Sequence, residues 1–316
     1  MNSNQLKLSP AAADCVNQMV FVSGMPRTGT TVLGNLIGSF SNIDYHFEPP
    51  MIKALLGYLE TGSLQANEFK FLFETYCFEE LLVPHLAGRT LNFNTHDDSY
   101  IKNFLSEEEL KKRLGKSHRK RTIEAEAKAY RLAIKMPASL LEMAALQNIY
   151  PEFIKIITYR NFNDVLHSIL KKAWFAPEHL SVNGPTLLYP YLIYKDLKIP
   201  SCIPKKYHSS FVEADELHKA VIYYISQYEA LGKIRRFIFI RYENFTQAPL
   251  EISKQLAKQL KVELTDKSLA IIDQIKPLEY RHEELPIEAS WQSRLDEIES
   301  NFQGLNTGSV VNNIEG

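Results

Sequence analysis

The stretch VFVSGMPRTGTTVLGNLIGSF, Val20 to Phe40, constrains the fold more than any other part of the chain. An apolar run ends at Gly24, four residues separate it from Gly29, and apolar residues at helical spacing follow from Thr30. A buried strand, a glycine turn and a helix in that order gather backbone N–H groups and the positive end of the helix around one point, which makes an anion site. A loop serving a nucleoside triphosphate needs a lysine after its second glycine, and an acidic residue ending another strand to hold Mg²⁺. Here Thr30 follows Gly29, and the later apolar runs end in Lys135 (RLAIK), Arg160 (IKIITYR) and Arg241-Tyr242-Glu243 (FIFIRYE). The loop itself adds Arg27.

The remaining pattern predicts how that unit is extended. Met19–Ser23, Asn42–Glu48, Arg131–Lys135, Phe153–Tyr159 and Phe237–Tyr242 read as strands. Thr30–Phe40, Ala138–Ile149, Asn163–Ala173, Ala214–Leu231 and Leu250–Leu260 read as helices. Alternating strands and helices predict a parallel sheet covered on both faces, an α/β three-layer sandwich of the P-loop nucleotide-binding type. One domain is expected over 1–316, with a mostly helical insertion at about 51–130 and a loose tail from about 303. Residues from Asp266 onward read as irregular, and 174–210 as a Pro- and aromatic-rich loop of the kind that covers a site on a rigid sheet. The basic run Arg119–Arg121 reads first as part of a solvated helix pair. Thr95–Asp98, THDD, reads as a polar turn rather than a metal site.

Composition narrows the function classes. Lys+Arg number 36 and Asp+Glu 37, so no broad field favours nucleic acid or an anionic membrane, and any anion site must be built locally. Three scattered cysteines, Cys15, Cys77 and Cys202, form no metal or disulfide pattern and fit a reducing compartment. Residues 1–18 lack a signal-peptide pattern, and no apolar run is long enough to span a bilayer. A cytoplasmic protein is the expectation, its oligomeric state open.

FVSGMPRTGTT resembles the 5′-phosphosulfate loop of sulfotransferases that use 3′-phosphoadenosine 5′-phosphosulfate (PAPS). ITYRNFNDVLHS resembles their 3′-phosphate segment, an arginine followed eight positions later by a serine, here Arg160 and Ser168. IKMP and IRYENF fall in the family's order and spacing, so the likeness runs from about Val20 to Leu260. Where the family usually has proline two residues after that arginine, this chain has Phe162. This likeness implies a small-molecule or glycan acceptor. Arginine within the loop is common in carbohydrate and tyrosyl-protein members, which implies a sugar or peptide hydroxyl as acceptor rather than a steroid or phenol.

The resemblance implies a division of labour. Arg27, Thr28, Gly29, Thr30 and Thr31 would hold the phosphosulfate, Arg160 and Ser168 the 3′-phosphate, and Tyr242 the adenine. Glu48, in YHFEPP, is the candidate general base, with His46 its rival. Lys135 would touch the transferring sulfonate, and no metal is expected. SWQSRL, with Trp291 and Arg294, faintly resembles a C-terminal cofactor clamp. The alternatives are a P-loop small-molecule kinase, which would require ATP and Mg²⁺, and a catalytically silent nucleotide-binding module.

Overall fold

A computed structural model describes residues 6, 8–116, 120–185, 190–278 and 283–312. The first strand, β1 (Val20–Gly24), is buried along its whole length, as expected of a continuous apolar run in a parallel sheet covered on both faces. β2 (Ile43–Phe47), β3 (Arg131–Lys135), β4 (Ile154–Tyr159) and β7 (Phe237–Arg241) join it in the order β2-β3-β1-β4-β7, all parallel. β8 (Val310–Val311) adds an antiparallel edge beside β7. Alternate side chains divide the core. Val20, Val22, Ala133, Ile156 and Ile240 pack with the helix Thr30–Gly38, and Phe21, Ile134 and Ile157 pack with the helix Glu216–Tyr228 on the other face.

Register determines what the crest of the sheet carries. Val22 pairs with Lys135, Lys135 with Phe47, Gly24 with Thr158, and Tyr159 with Arg241. The carboxyl ends of the parallel strands are therefore level, and Gly24, Glu48, Lys135, Arg160 and Tyr242 emerge along one rim. β3 and β4 lie on opposite sides of β1, so the chain changes direction there. Ligands of open α/β sheets bind in the crevice at such a switch point.

The five expected strands and their helices are present, with every boundary within three residues of the expectation. The insertion after β2 is helical, beginning with Pro50–Glu60 and Ala66–Glu74 and continuing as a π-helical stretch, Thr75–Leu82. Two readings need correction. Residues 174–210 are not all loop: β5 (Tyr191–Tyr194) and β6 (Leu197–Pro200) form an antiparallel hairpin, followed by the helix His208–Glu213. The hairpin turns on Lys195 and Asp196 at φ of 48° and 61°, a turn without the glycine that would have flagged it. Beyond Asp266 the chain forms the helices Asp266–Gln274 and Ala289–Gln303, and β8 lies within the tail expected to be loose. The side chains of the basic run Arg119–Arg121 lie outside the described residues.

Gly34 and Gly38, one helical turn apart, let the helix Thr30–Gly38 sit against the Tyr45 ring of β2. A Cβ on Gly34 would lie 2.4 Å from the Tyr45 hydroxyl oxygen, which is buried and has no hydrogen-bond partner among the described residues. Gly34→Ala is expected to cost about 1–3 kcal/mol through overpacking. Tyr45→Phe, which removes an unsatisfied polar atom, is expected to be neutral or stabilising and to recover most of that loss in the double variant. Urea unfolding of the three variants checks this; additive costs in the double variant would refute it.

Candidate active site

The loop after β1 is shaped by two residues in the left-handed region. Arg27 has φ 74°, and Gly29, at the N-cap of the helix Thr30–Gly38, has φ 82°. A Cβ on Gly29 would lie 2.2 Å from the Tyr242 ring, so only glycine lets that ring close on the loop. Thr28 turns inward. Its hydroxyl hydrogen-bonds Met25 O and Thr158 Oγ1, each at 2.6 Å, and it is fully buried. Thr28 thus ties the loop to β4 and does not present its side chain to a ligand. Thr30 and Thr31 open the helix and line the cleft beside the loop.

The two predicted phosphate segments meet. Arg27 Nε donates to Ser168 Oγ at 2.9 Å, across 141 residues of sequence, and Arg160 approaches Arg27 O at 3.4 Å. Arg160 pairs with Asp164 at 2.9 Å, while its Nε is buried without a partner among the described residues. Tyr224 holds Arg160 O at 3.1 Å, and Glu243, one residue past Tyr242, accepts the Asn161 N–H at 2.8 Å. Asn161 caps the helix Phe162–Lys171, so Phe162 occupies the first helical position that proline would suit. The Tyr242 ring lies 5.6 Å from the Arg160 guanidinium, sandwiching the loop glycine from the far side.

At the other end of the loop, Lys135 and Glu48 form an ion pair. The Glu48 N–H donates to Lys135 O at 3.0 Å, extending the β2–β3 ladder by one bond and holding Glu48 at φ 45°. Such backbone persists only where its surroundings impose it. Lys135 is buried, with Nζ 3.9 Å from the centre of the Phe47 ring. Burial lowers the Lys135 pKa, against the pull of Glu48 and Asp98. A cleft of about 500 Å³ runs from Arg27, Thr30 and Thr31 past Glu48 and Lys135 to Trp174, Pro190 and Tyr223. Asp98 also faces it. The turn reading of residues 92–99 agrees with the structure: Asn92, Asn94 and Asp97 each accept a backbone N–H two residues on. Its delivery of a carboxylate to the cleft had no local signal.

His46 does not line that cleft. Its Nε2 lies 2.9 Å from Asp44 Oδ2, in a buried cluster that also holds His85 Nδ1 at 2.8 Å and Arg113 at 2.7 Å from Asp44 Oδ1. Asp44, His46 and His85 are near enough together to be read as metal ligands. Arg113, however, already places a fixed cation on Asp44, 3.2 Å from His85 Nδ1. Burial works to raise the Asp44 pKa, but His85, Arg113 and the hydrogen bonds from both histidines outweigh it and hold the carboxyl well below its usual range. Burial lowers the His85 pKa, so the ring is held neutral. Trp291 and Arg294 pack with Tyr207, and Arg294 pairs with Glu229 beside a separate cavity of about 280 Å³.

A profile described as "Sulfotransferase family" matches residues 19–266. Among solved structures, the chain is similar to the sulfotransferase domain from the Synechococcus PCC 7002 olefin synthase, at 10% identity, covering 92% of this chain and 95% of that one, with TM-score 0.46. It is also similar to sulfotransferase STF9 from Mycobacterium avium, at 14% identity, 95% and 81% coverage and TM-score 0.45. A third is sulfotransferase STF1 from Mycobacterium tuberculosis H37Rv, at 15% identity, 94% and 80% coverage and TM-score 0.41. No curated protein matches at a significant level. Among the described residues, no helix is long and apolar enough to cross a membrane.

The neutral His85 gives a pH test. Its folded pKa lies below the unfolded one, so the unfolded chain takes up the proton first as pH falls. The stability it contributes is complete above the unfolded value and is lost as pH drops below about 6.5. Unfolding free energy is expected to fall by up to about 1.4 kcal/mol per pH unit on this account, and His85→Gln is expected to flatten the slope between about pH 7 and 5. Chemical denaturation at several pH values measures it; an unchanged slope in the variant would show that His85 titrates freely.

Proposed function

The chain belongs to the sulfotransferase family, and from that premise we propose that it transfers the sulfonate of PAPS to an acceptor hydroxyl in the cleft between the Gly24–Thr31 loop and the Glu48–Lys135 pair. The observation that carries this reading is the meeting of Arg27, Ser168 and Arg160 on one side of the loop and of Lys135 and Glu48 on the other. The residues fit a nucleotide carrying phosphate at both ends. The buried, unpartnered Nε of Arg160 and the Ser168 hydroxyl suit the 3′-phosphate, and the helix N-terminus with Thr30 and Thr31 suits the phosphosulfate. Tyr242, closed on the loop beside Arg160, is positioned to border the adenosine.

When bound, the donor supplies a sulfonyl group attached to a phosphate leaving group. Glu48 takes the hydroxyl proton as the acceptor oxygen bonds sulfur. The bridging S–O bond breaks with its electron pair remaining on the phosphate, where Arg27 and the loop amides meet the growing charge. Lys135 pairs with Glu48 and Arg160 with Asp164. An incoming anion competes for both cations, and Lys135, drawn to the sulfonate, leaves the Glu48 oxygens free to accept a proton. Arginine and lysine stand at the strand ends where triphosphate chemistry needs an acid for Mg²⁺, so the proposed transfer is metal-independent. The three free cysteines, two of them buried, support a cytoplasmic setting.

Binding and turnover test separate parts of this reading. Arg160→Ala is expected to weaken adenosine 3′,5′-bisphosphate by about 10- to 100-fold in calorimetry. Glu48→Gln is expected to retain that affinity while lowering kcat by about 10²–10⁴ with labelled PAPS. Tighter binding of ATP–Mg²⁺ than of the bisphosphate would favour the kinase alternative. Bisphosphate binding without turnover across an acceptor screen would favour the silent module.

A further inference from the structure

The walls of the cleft beyond the reacting groups are short of hydrogen-bonding capacity. Five of its lining residues are prolines, Pro26, Pro50, Pro137, Pro190 and Pro200, and none of them has a backbone N–H to offer. Trp174 and Met136 add apolar surface. The polar groups deeper in the cleft are already engaged. Lys53 Nζ donates to Ala138 O at 2.7 Å, Ser139 Oγ at 2.8 Å and Glu142 Oε1 at 3.0 Å, which uses all three of its N–H bonds. Burial raises the pKa of both the Tyr223 hydroxyl and the Cys202 thiol, which keeps them neutral.

One group stands apart. Ser201 follows β6, and its N–H donates to Pro190 O at 3.0 Å, which closes the base of the β5–β6 hairpin beside the cleft. Its Oγ is buried and has no partner among the described residues. A hydroxyl turned inward with nothing to bond is a handle for a ligand.

We propose that the acceptor is an alcohol on a rigid apolar body, bearing one further polar group that bonds Ser201, and is not a free sugar. The inference rests on the sulfotransferase reading and departs from the sugar or peptide acceptor that the loop arginine implied. A sugar ring carries a hydroxyl on nearly every carbon, and against tryptophan, methionine and prolines that offer no N–H most of these oxygens would lose water without gaining a donor. An apolar ring loses nothing there. Its reacting hydroxyl reaches Glu48, and a second hydroxyl at the far end reaches Ser201. The lining polar residues outside this pattern belong to the glycine loop and its helix start (Arg27, Thr30 and Thr31), to the Glu48–Lys135 pair, or, as Asp98, to the turn of residues 92–99. Ser201 is thus a specificity-determining residue rather than a catalytic one.

The test uses three probes of one ring size, titrated calorimetrically into the full chain saturated with adenosine 3′,5′-bisphosphate: 1,4-cyclohexanedimethanol, cyclohexanemethanol and methyl glucoside. The dimethanol is expected to bind at least about tenfold more tightly than methyl glucoside, and about fivefold more tightly than the single alcohol. Ser201→Ala is expected to erase the fivefold difference while the bisphosphate affinity, which reports an intact fold, is unchanged. Methyl glucoside binding as tightly as the dimethanol, no saturable binding by the dimethanol, or a fivefold difference that survives Ser201→Ala would each overturn the proposal while leaving the donor assignment standing. Failure of the bisphosphate itself to bind would instead remove the sulfotransferase reading and this inference with it.

Discussion

The level ending of five parallel strands governs everything chemical in this protein. Parallel pairing leaves no freedom once register is set: Val22 opposite Lys135 and Lys135 opposite Phe47 fix which side chains reach the rim. A slip of one residue on β3 would turn Lys135 to the other face and set Met136 in its place. The cations are then close enough to need anions at once. Glu48 and Asp164 supply them, and the site forms as a set of charges each provisionally matched by a neighbour. A site built in this way offers cations to a polyanion while each already has a neighbouring carboxylate to balance it.

The same constraint explains why the fold was legible in the sequence. Strands buried on both faces are apolar through most of their length: β1, β3 and β7 read as short apolar runs bounded by polar or turn residues, and β4 keeps that pattern around Lys155 and Thr158. Elements with weaker burial gave weaker signals. The helix Ala289–Gln303 buries Leu295, Ile298 and Phe302 along one narrow stripe, and its other positions are polar enough to pass for loop. β8 is two residues long and is defined by its pairing with β7, Phe237 with Val311 and Ile238 with Val310, far earlier in the chain. The β5–β6 hairpin turns without glycine, and Leu192 and Ile193 are exposed, so no alternation of buried and solvated residues marked it.

For the site, residue identity was legible and side-chain direction was not. Arg27, Arg160, Ser168, Glu48 and Lys135 could be picked out because their motifs sit at strand ends and helix starts. Nothing local says that Thr28 points down to Thr158, or that Arg27 reaches across to Ser168. Both contacts join segments more than 100 residues apart and exist only after the sheet has assembled. Asp98 and Ser201 were missed for the same reason. They lie on a polar turn and at the base of a hairpin, and the fold alone brings them to one cleft.

β2 shows how environment assigns roles to similar groups on one strand. Asp44 and Glu48 are four residues apart, and both are carboxylates. Asp44 is fully buried and accepts from His46, His85 and Arg113, which closes its oxygens to any other partner and keeps it ionised. Glu48 pairs with Lys135 alone among the described residues, borders the cleft, and keeps part of its surface open. A carboxylate held by three donors cannot accept a proton without breaking all of them, whereas one held by a single displaceable cation can. His46, between the two, is committed to Asp44 and takes no part in that competition. Arg113 is meanwhile anchored by Glu109 at 2.9 Å on the helix Glu107–Leu114, so the charges that immobilise Asp44 also clamp the helical insertion against β2. The buried carboxylate holds the strand in place, and the strand in turn carries its exposed neighbour to the point where a proton has to be received.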